Sequence, residues 1–149
     1  MKIEITGARQ TDAPAIATLH IKARRLAMPY LPRLYTERET REWFATIVGD
    51  RPEVCWIARL NGKVVGYMVL DGVNLDHLYV DPDAQGQCVG SSLLKKAKSL
   101  SPNRLVLWTF QQNTRARAFY EARGFLAVAS TDGRNEEGLP DVQYEWQEP

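Results

Sequence analysis

The sequence is poor in cysteine, with only Cys55 and Cys88 among 149 residues. These two stand in neither a C-x-x-C pair nor the Cys/His spacing of a zinc site, so we predict no disulfide framework and no metal site. Two free thiols are typical of a reducing compartment.

The sequence also lacks an excess of one charge and any long apolar run. Its 19 Lys and Arg residues against 18 Asp and Glu leave a formal net charge of +1, so no overall field attracts nucleic acid or an anionic membrane. No run reaches the roughly 18 apolar residues of a membrane span. The N-terminal MKIEITGARQ has no signal-peptide core. We therefore predict a cytoplasmic protein that binds neither nucleic acid nor membrane.

What is present is the composition of a soluble globular domain, with 44% hydrophobic and 25% charged residues. A chain of this length buries roughly 68–70% of its unfolded surface, which suffices for a core without disulfides or metals. No repeat, low-complexity tract or long linker divides the chain, so we predict a single domain over residues 1–149.

Hydrophobic periodicity, helix caps and turn residues predict the order β-α-α-β-β-β-α-β-α-β-β. The predicted strands are Lys2–Gly7, Val54–Leu60, Val64–Leu70, Val73–Val80, Leu105–Phe110, Phe125–Ser130 and Val142–Trp146. The predicted helices run from Thr11 or Asp12 to about Pro29, from the capping box at Thr36 through Ile47, from Ser91 to Leu100 and from Thr114 to Arg123. This order favours an α/β or α+β sandwich with a mixed sheet.

The loop Gln85–Gly90 lies between a predicted strand and a predicted helix. Free N–H groups and the helix dipole at such a junction suit a phosphate or pyrophosphate. The loop is no Walker A motif, because no G-K-[ST] follows, and it is no Rossmann G-x-G-x-x-G. By itself it is equally typical of a tight strand-to-helix turn.

A second segment, Asn113–Phe125, would place Asn113, Ala116 and Tyr120 on one helix face. The alternative for this pattern is an amphipathic helix whose aromatic residues belong to the core.

Together the two segments resemble the GNAT superfamily of acyl-CoA-dependent N-acetyltransferases. The loop Gln85-Gly-Gln-Cys-Val-Gly90 corresponds to the family pattern [QR]-x-x-G-x-[GA], and Val80-x-Pro82 matches its lead-in. The helix corresponds to N-x-x-A-x-x-F-Y-E-x-x-G-F. The resemblance implies a central mixed, mostly antiparallel sheet with helices on both faces. It also implies acetyl transfer from acetyl-CoA, without a metal, to a primary amine of a small molecule or peptide.

The resemblance assigns roles to individual residues. Tyr120 is the expected general acid for the CoA thiolate, and Asp76 the expected proton acceptor for the amine, with His77 in reserve. Strand parity predicts that Asn74, Asp76 and Leu78 share one face, and Leu75, His77 and Tyr79 the other. The residues expected to bind acetyl-CoA are Leu78, Tyr79, Val80, Gln85, Gly86, Gln87, Cys88, Val89, Gly90, Ser91, Asn113, Ala116, Phe119 and Tyr120.

Cys88 replaces the usual central glycine of the loop. If Cys88 has a negative φ and its thiol points away from the ligand, CoA is expected to fit. In any other conformation of Cys88, weaker CoA binding is expected.

The acceptor amine is not specified by the sequence. Tyr30, Tyr35 and Trp108 are interpreted either as an amine site or as core aromatics, and His20 as a structural residue. A homodimer is left open. The alternative functions are a non-catalytic acyl-CoA-binding module and a small nucleotide kinase, against which the missing Walker lysine argues.

Overall fold

A computed structural model describes residues 2–149 of the chain; Met1, part of the predicted domain range, lies outside the described residues. The strands are β1 (Ile3–Gly7), β2 (Cys55–Leu60), β3 (Lys63–Asp71), β4 (Asn74–Val80), β5 (Arg104–Phe110), β6 (Leu126–Thr131) and β7 (Asp141–Gln147). The helices are α1 (Ala13–Ala27), α2 (Glu37–Asp50), α3 (Val89–Leu100) and α4 (Thr114–Glu121). The predicted order of elements is confirmed.

Local chemistry explains the boundaries that the sequence predicted well. At the start of α2, the Glu39 N–H donates to Thr36 Oγ1 over 3.1 Å, and the Thr36 N–H donates to Glu39 Oε1 over 2.9 Å. This capping box satisfies two N–H groups that the helix itself leaves free. Between β2 and β3, Asn61 and Gly62 both have positive φ, at 53° and 80°, as a type I′ hairpin turn requires.

The strands form one sheet in the order β1-β2-β3-β4-β5-β7-β6, in which only β4 and β5 pair parallel. The mixed, mostly antiparallel sheet predicted by the family resemblance is therefore present. Helices α1 and α2 cover one face, where Ile16, Phe44 and Tyr67 are buried. Helices α3 and α4 cover the other face, around Leu93 and Tyr144. We call these the α1/α2 face and the α3/α4 face.

A gap opens in the middle of the sheet, between β4 and β5. The described residues of the two strands form a single register pair, Asn74 with Val106, and the Val106 N–H donates to the Val73 carbonyl over 2.8 Å. On its other edge, β5 pairs along its whole length with β7. Residues 77–80 of β4 are consequently only half-buried although the strand is central.

Among residues 2–149, no helix combines the length and the apolar character needed to cross a bilayer.

Candidate active site

The backbone of β4 presents N–H groups to the gap. The Asp81 N–H donates to the Val65 carbonyl of β3 over 2.7 Å. N–H groups of successive strand residues point to alternate edges, so those of Tyr79 and His77 also face β3. Those of Leu78 and Val80 face the opposite edge, where β5 has diverged. The gap is therefore lined with backbone donors of Leu78 and Val80, two of the residues expected from the family resemblance to bind acetyl-CoA.

A β-bulge at Asp76 changes which side chains share a face of β4. Val69 of β3 pairs with His77 and Leu70 with Leu75, so Asp76 lies opposite no residue of β3. Leu75 is buried on the α3/α4 face. The prediction that Leu75 shares a face with His77 is therefore wrong, because the bulge inserts one extra residue and reverses the alternation.

Asp76 itself is exposed. Its pKa is raised by partial burial and by the neighbouring Asp71 carboxylate, against the opposing effect of Arg51. A carboxylate with a raised pKa is a better proton acceptor than an ordinary one. Asp76 lies two residues from the Asn74 pair that closes the gap.

The loop after β4 combines two residues in the left-handed region, Gly86 at φ 82° and Cys88 at φ 65°. Cys88 is the N-cap of α3, which begins at Val89, two residues before the predicted start. A non-glycine residue at positive φ costs about 1–2 kcal/mol. The structure thus places Cys88 in the conformation for which the sequence analysis expects weaker CoA binding.

Gly90 is required by a close approach. A Cβ atom at this position would lie 3.3 Å from the Phe119 ring of α4 and 3.6 Å from Val80. The start of α3, the end of β4 and helix α4 therefore meet at Gly90, which brings the two motif segments of the sequence together.

Tyr120 lies in the buried cluster of the α3/α4 face, between the rings of Phe119 and Phe125 at centroid distances of 5.2 and 5.3 Å. Burial raises the pKa of its phenol well above the ordinary value of 10.0, and Tyr79 adds to the shift. The hydroxyl is therefore protonated at neutral pH, the state that a general acid needs. Asn113 caps the same helix by accepting from the Ala116 N–H.

Two cationic side chains contact the segments on either side of the loop. Lys22 of α1 donates to Asp81 over 3.0 Å and to Asp83 over 2.7 Å. Arg123 donates to the Ser91 hydroxyl over 2.9 Å and stacks on Phe119 at 3.9 Å. Lys22 therefore links α1 to the segment before the loop, and Arg123 links the end of α4 to the start of α3. No sequence pattern indicates the role of Lys22, because its partners lie about sixty residues away in the chain.

The lysines of α3 differ from one another. Lys95 is exposed. Lys98 is partly buried, donates to the Arg123 carbonyl over 3.0 Å and lies 4.7 Å from the Trp146 ring.

The aromatic residues proposed for the acceptor side are not core residues. Tyr30, Tyr35 and Trp108 are 37%, 55% and 50% exposed, so the interpretation as core aromatics is wrong for all three. On the same α1/α2 side, Arg24 of α1 and Glu137 of the β6–β7 loop approach within 4.0 Å. No local sequence pattern indicates this pair, because Arg24 and Glu137 lie far apart in the sequence.

His20 is half-buried on α1 and bonded to the hydroxyl of Tyr67. His77 bonds to the same hydroxyl from β4. Tyr67 lies in an apolar strand and carries no sequence signal of its own; only the pairing of β3 with β4 brings it to His77.

Known proteins are similar to this chain in sequence and in fold. The sequence matches the model of the Acetyltransferase (GNAT) family over residues 20–125, more than half of the chain. The Peptidyl-lysine N-acetyltransferase YjaB of Salmonella typhimurium strain LT2 is 29% identical over 133 residues, which cover 89% of this chain and 89% of that protein.

Two solved structures show the same fold. The solution structure of apo-form YjaB from Escherichia coli superposes with a TM-score of 0.83 at 24% identity, over 100% of both chains. The crystal structure of PaiA N-acetyltransferase from Thermoplasma acidophilum, in complex with coenzyme A, superposes with a TM-score of 0.72 at 16% identity, over 99% of both chains. At these identities the likeness concerns the fold, and it confirms the predicted α/β sandwich.

Proposed function

Because this chain belongs to the GNAT family and is an acyltransferase, we propose that it transfers an acetyl group from acetyl-CoA to a primary amine. The observation that carries this proposal is the gap between β4 and β5, which runs along free backbone donors into the Gln85–Gly90 loop. We further propose that residues 1–149 form one catalytic domain.

The loop and the gap suit different parts of acetyl-CoA. The N–H groups at the start of α3 and the positive end of its dipole suit the pyrophosphate. The edge of β4, with the N–H groups of Leu78 and Val80, suits the amide-bearing pantetheine arm and the acyl carbonyl. The binding set proposed from the sequence is retained as a whole, and Arg123 joins it because its guanidinium lies beside Ser91. No step of the reaction requires a metal.

The acceptor that we propose first is the side-chain amine of a lysine in a peptide. The Salmonella relative, at 29% identity, is named a peptidyl-lysine N-acetyltransferase. The exposed Tyr30, Tyr35 and Trp108 support this choice, because aromatic faces attract alkyl ammonium groups.

The reaction that we propose is direct attack of the amine on the thioester carbonyl. The developing oxyanion would accept a hydrogen bond from a β4 N–H facing the gap, Leu78 or Val80. The leaving thiolate would take its proton from the Tyr120 hydroxyl, which burial keeps protonated. The proton of the amine has two candidate acceptors, Asp76 and its neighbour His77. The raised pKa of Asp76 supports the first, and the hydrogen bond of His77 to the Tyr67 hydroxyl supports the second.

Two measurements test this proposal. Acetyl-CoA at about 100 times its Kd adds roughly 2.7 kcal/mol to the free energy of unfolding, which raises Tm by several degrees, and ATP is expected to leave Tm unchanged. Thiol release in the presence of lysine peptides or free amines then measures turnover. Acetyl-CoA binding without turnover over a broad amine panel would establish a non-catalytic acyl-CoA-binding module instead. A rise in Tm with ATP alone would contradict the CoA site.

A further inference from the structure

The two histidines of the chain bond to one buried hydroxyl. His20 Nδ1 lies 2.7 Å from the Tyr67 hydroxyl oxygen, and His77 Nδ1 lies 2.9 Å from the same oxygen. The three side chains come from α1, β3 and β4. No other histidine occurs in the sequence. We call this set the His20–Tyr67–His77 triad.

The hydroxyl imposes opposite roles on the two rings. It carries one proton, so it donates to one Nδ1 and accepts from the Nδ1–H of the other ring. In neutral imidazoles, one ring is then protonated at Nδ1 and the other at Nε2. Reversing both hydrogen bonds gives an equally complete arrangement with the two tautomers exchanged. A chain with two such arrangements can pass a proton from one end to the other.

Burial and nearby charge keep both rings neutral. The pKa of His20 is lowered from 6.5 to about 3, by burial first and then by His77 and Arg24, and that of His77 is lowered to about 4, by burial first and then by Arg24. An imidazole that is neutral at pH 7 has a lone pair free to accept a proton. Because its conjugate acid is strong, it also passes the proton on readily.

The triad has two accessible ends and a closed middle. Tyr67 is fully buried, whereas His20 and His77 are half-buried. His77 directly precedes Leu78, whose N–H faces the gap, and the indole of Trp43 stacks on its ring at 5.4 Å and 11°. The His20 ring lies against Phe44 and Tyr79. The His77 end therefore lies next to the proposed reaction site on β4.

We propose that the His20–Tyr67–His77 triad is a proton relay that carries the acceptor amine's proton from His77 to solvent at His20. This inference rests on the proposed function. As the amine nitrogen bonds to the acyl carbon and the C–S bond breaks, the nitrogen's proton passes to Nε2 of His77. Nδ1 of His77 gives its proton to the Tyr67 oxygen, which gives its own to Nδ1 of His20. His20 releases its Nε2 proton to water, and Tyr120 protonates the thiolate.

The decisive variant is Tyr67→Phe, which removes the shared hydroxyl and leaves both imidazoles in place. We expect its kcat with a lysine peptide to fall about 10- to 100-fold, with an unchanged Kd for acetyl-CoA. Tyr144→Phe is the matched control. Tyr144 is equally buried and bonds to Arg117 and Glu121 on the α3/α4 face, so the substitution also removes a buried hydroxyl and is expected to preserve kcat.

A second variant separates proton transfer from structure. His77→Ala removes the entry of the relay, and added imidazole is expected to restore its kcat in a saturable manner, whereas it is not expected to rescue Tyr120→Phe. Where His77→Ala fails to fold, His77→Gln replaces it and must show the same loss of kcat. A Tyr67→Phe enzyme as active as Tyr144→Phe, combined with a large loss in Asp76→Asn, would overturn the relay and assign the proton to Asp76.

The hydrogen bonds of the triad are testable without turnover. Nitrogen-15 NMR of the imidazoles at pH 7 is expected to show two neutral rings with complementary tautomer populations, so that the Nδ1–H fraction of one ring equals the Nε2–H fraction of the other, and the Tyr67→Phe spectrum is expected to lose this relation. Populations that are not complementary, or a charged ring, would overturn the relay even in an active enzyme. A wild-type protein that binds acetyl-CoA and acetylates no amine would refute the proposed function, and the relay would be rejected with it, whatever the NMR spectrum shows.

Discussion

The two faces of the sheet at β4 differ in how far apart in the sequence their functional residues lie. On the α3/α4 face, the loop Gln85–Gly90 and the helix that carries Tyr120 are continuous segments that meet at Gly90. On the α1/α2 face, His20, Tyr67 and His77 come from three separate elements. A ligand site made of continuous segments leaves a readable motif, whereas a site made by long-range pairing leaves none.

The two faces also differ in the hydrogen-bond partners of their buried tyrosine hydroxyls. Tyr144 on the α3/α4 face bonds to a charged pair, Arg117 and Glu121. Tyr67 on the α1/α2 face bonds to two neutral imidazoles. A hydroxyl between fixed charges has one preferred orientation, while a hydroxyl between two neutral imidazoles has two. This difference makes the first arrangement structural and the second suited to proton movement.

The largest expected effect concerns the α3/α4 face. Tyr120→Phe removes the proposed proton donor without altering packing, so we expect kcat to fall about 10²- to 10⁴-fold while the Kd for acetyl-CoA stays nearly unchanged. Steady-state kinetics and calorimetric titration measure the two quantities. Equal turnover in variant and wild type would remove Tyr120 from the mechanism.

The two histidines of the α1/α2 face are expected to make the free energy of unfolding depend on pH. The folded pKa values of His20 and His77 lie below the ordinary 6.5, so the unfolded chain binds more protons between about pH 4 and 6.5. Stability is therefore complete above pH 6.5 and declines as the pH falls through that window. From pH 7 to 5 we expect a loss of about 1–2 kcal/mol per histidine, measured by urea unfolding.

The matched variant for this measurement is the double substitution His20→Gln and His77→Gln. It should lose less stability over the same pH range than the wild type, because neither side chain titrates. An unchanged slope would show that other groups cause the acid sensitivity.

A smaller effect is expected where Lys22 of α1 contacts Asp81 and Asp83, before the loop. Burial opposes ionisation of Asp81, but the Asp83 N–H and the Lys22 ammonium together lower its pKa. Lys22→Met removes a partner of this buried carboxylate, and we expect a small loss of stability with weaker acetyl-CoA binding and an unchanged kcat. Lys22→Arg is the control and should retain most of the affinity. A kcat effect without an affinity change would contradict this account of Lys22.

The smallest effect concerns Cys88. Glycine adopts positive φ without a steric penalty, so Cys88→Gly is expected to stabilise the fold by about 1 kcal/mol and to preserve or tighten acetyl-CoA binding. Cys88→Ala lacks the thiol but retains the strained conformation, and should resemble the wild type. A marked loss of affinity in Cys88→Gly would show that the cysteine side chain takes part in binding.

Much of the fold and half of the candidate site could be predicted from the sequence. The capping box at Thr36, the Asn61-Gly62 turn and the periodic segments depend on neighbouring residues, so they are visible locally. The motif that carries Tyr120 is equally local, and the family match confirms the resemblance that it indicated.

The remaining features depend on how strands pair. The bulge at Asp76 is a property of the β3–β4 register, and no sequence pattern in β4 indicates it. Simple alternation along the strand therefore predicted the wrong face for Leu75. The bond between His20 and Tyr67 joins residues 47 positions apart. The exposure of Tyr30, Tyr35 and Trp108 likewise follows from the tertiary arrangement and not from their hydrophobicity.

The central claim is that the acyl donor binds in the gap between β4 and β5. Titration of acetyl-CoA into nitrogen-15-labelled protein tests it most directly, through the backbone amide signals. We predict that the amides of Leu78, Val80 and residues 86–90 shift strongly, and that those of His77 and Tyr79, which face β3, shift much less. No shifts along this edge of β4, or shifts confined to another surface, would contradict the claim.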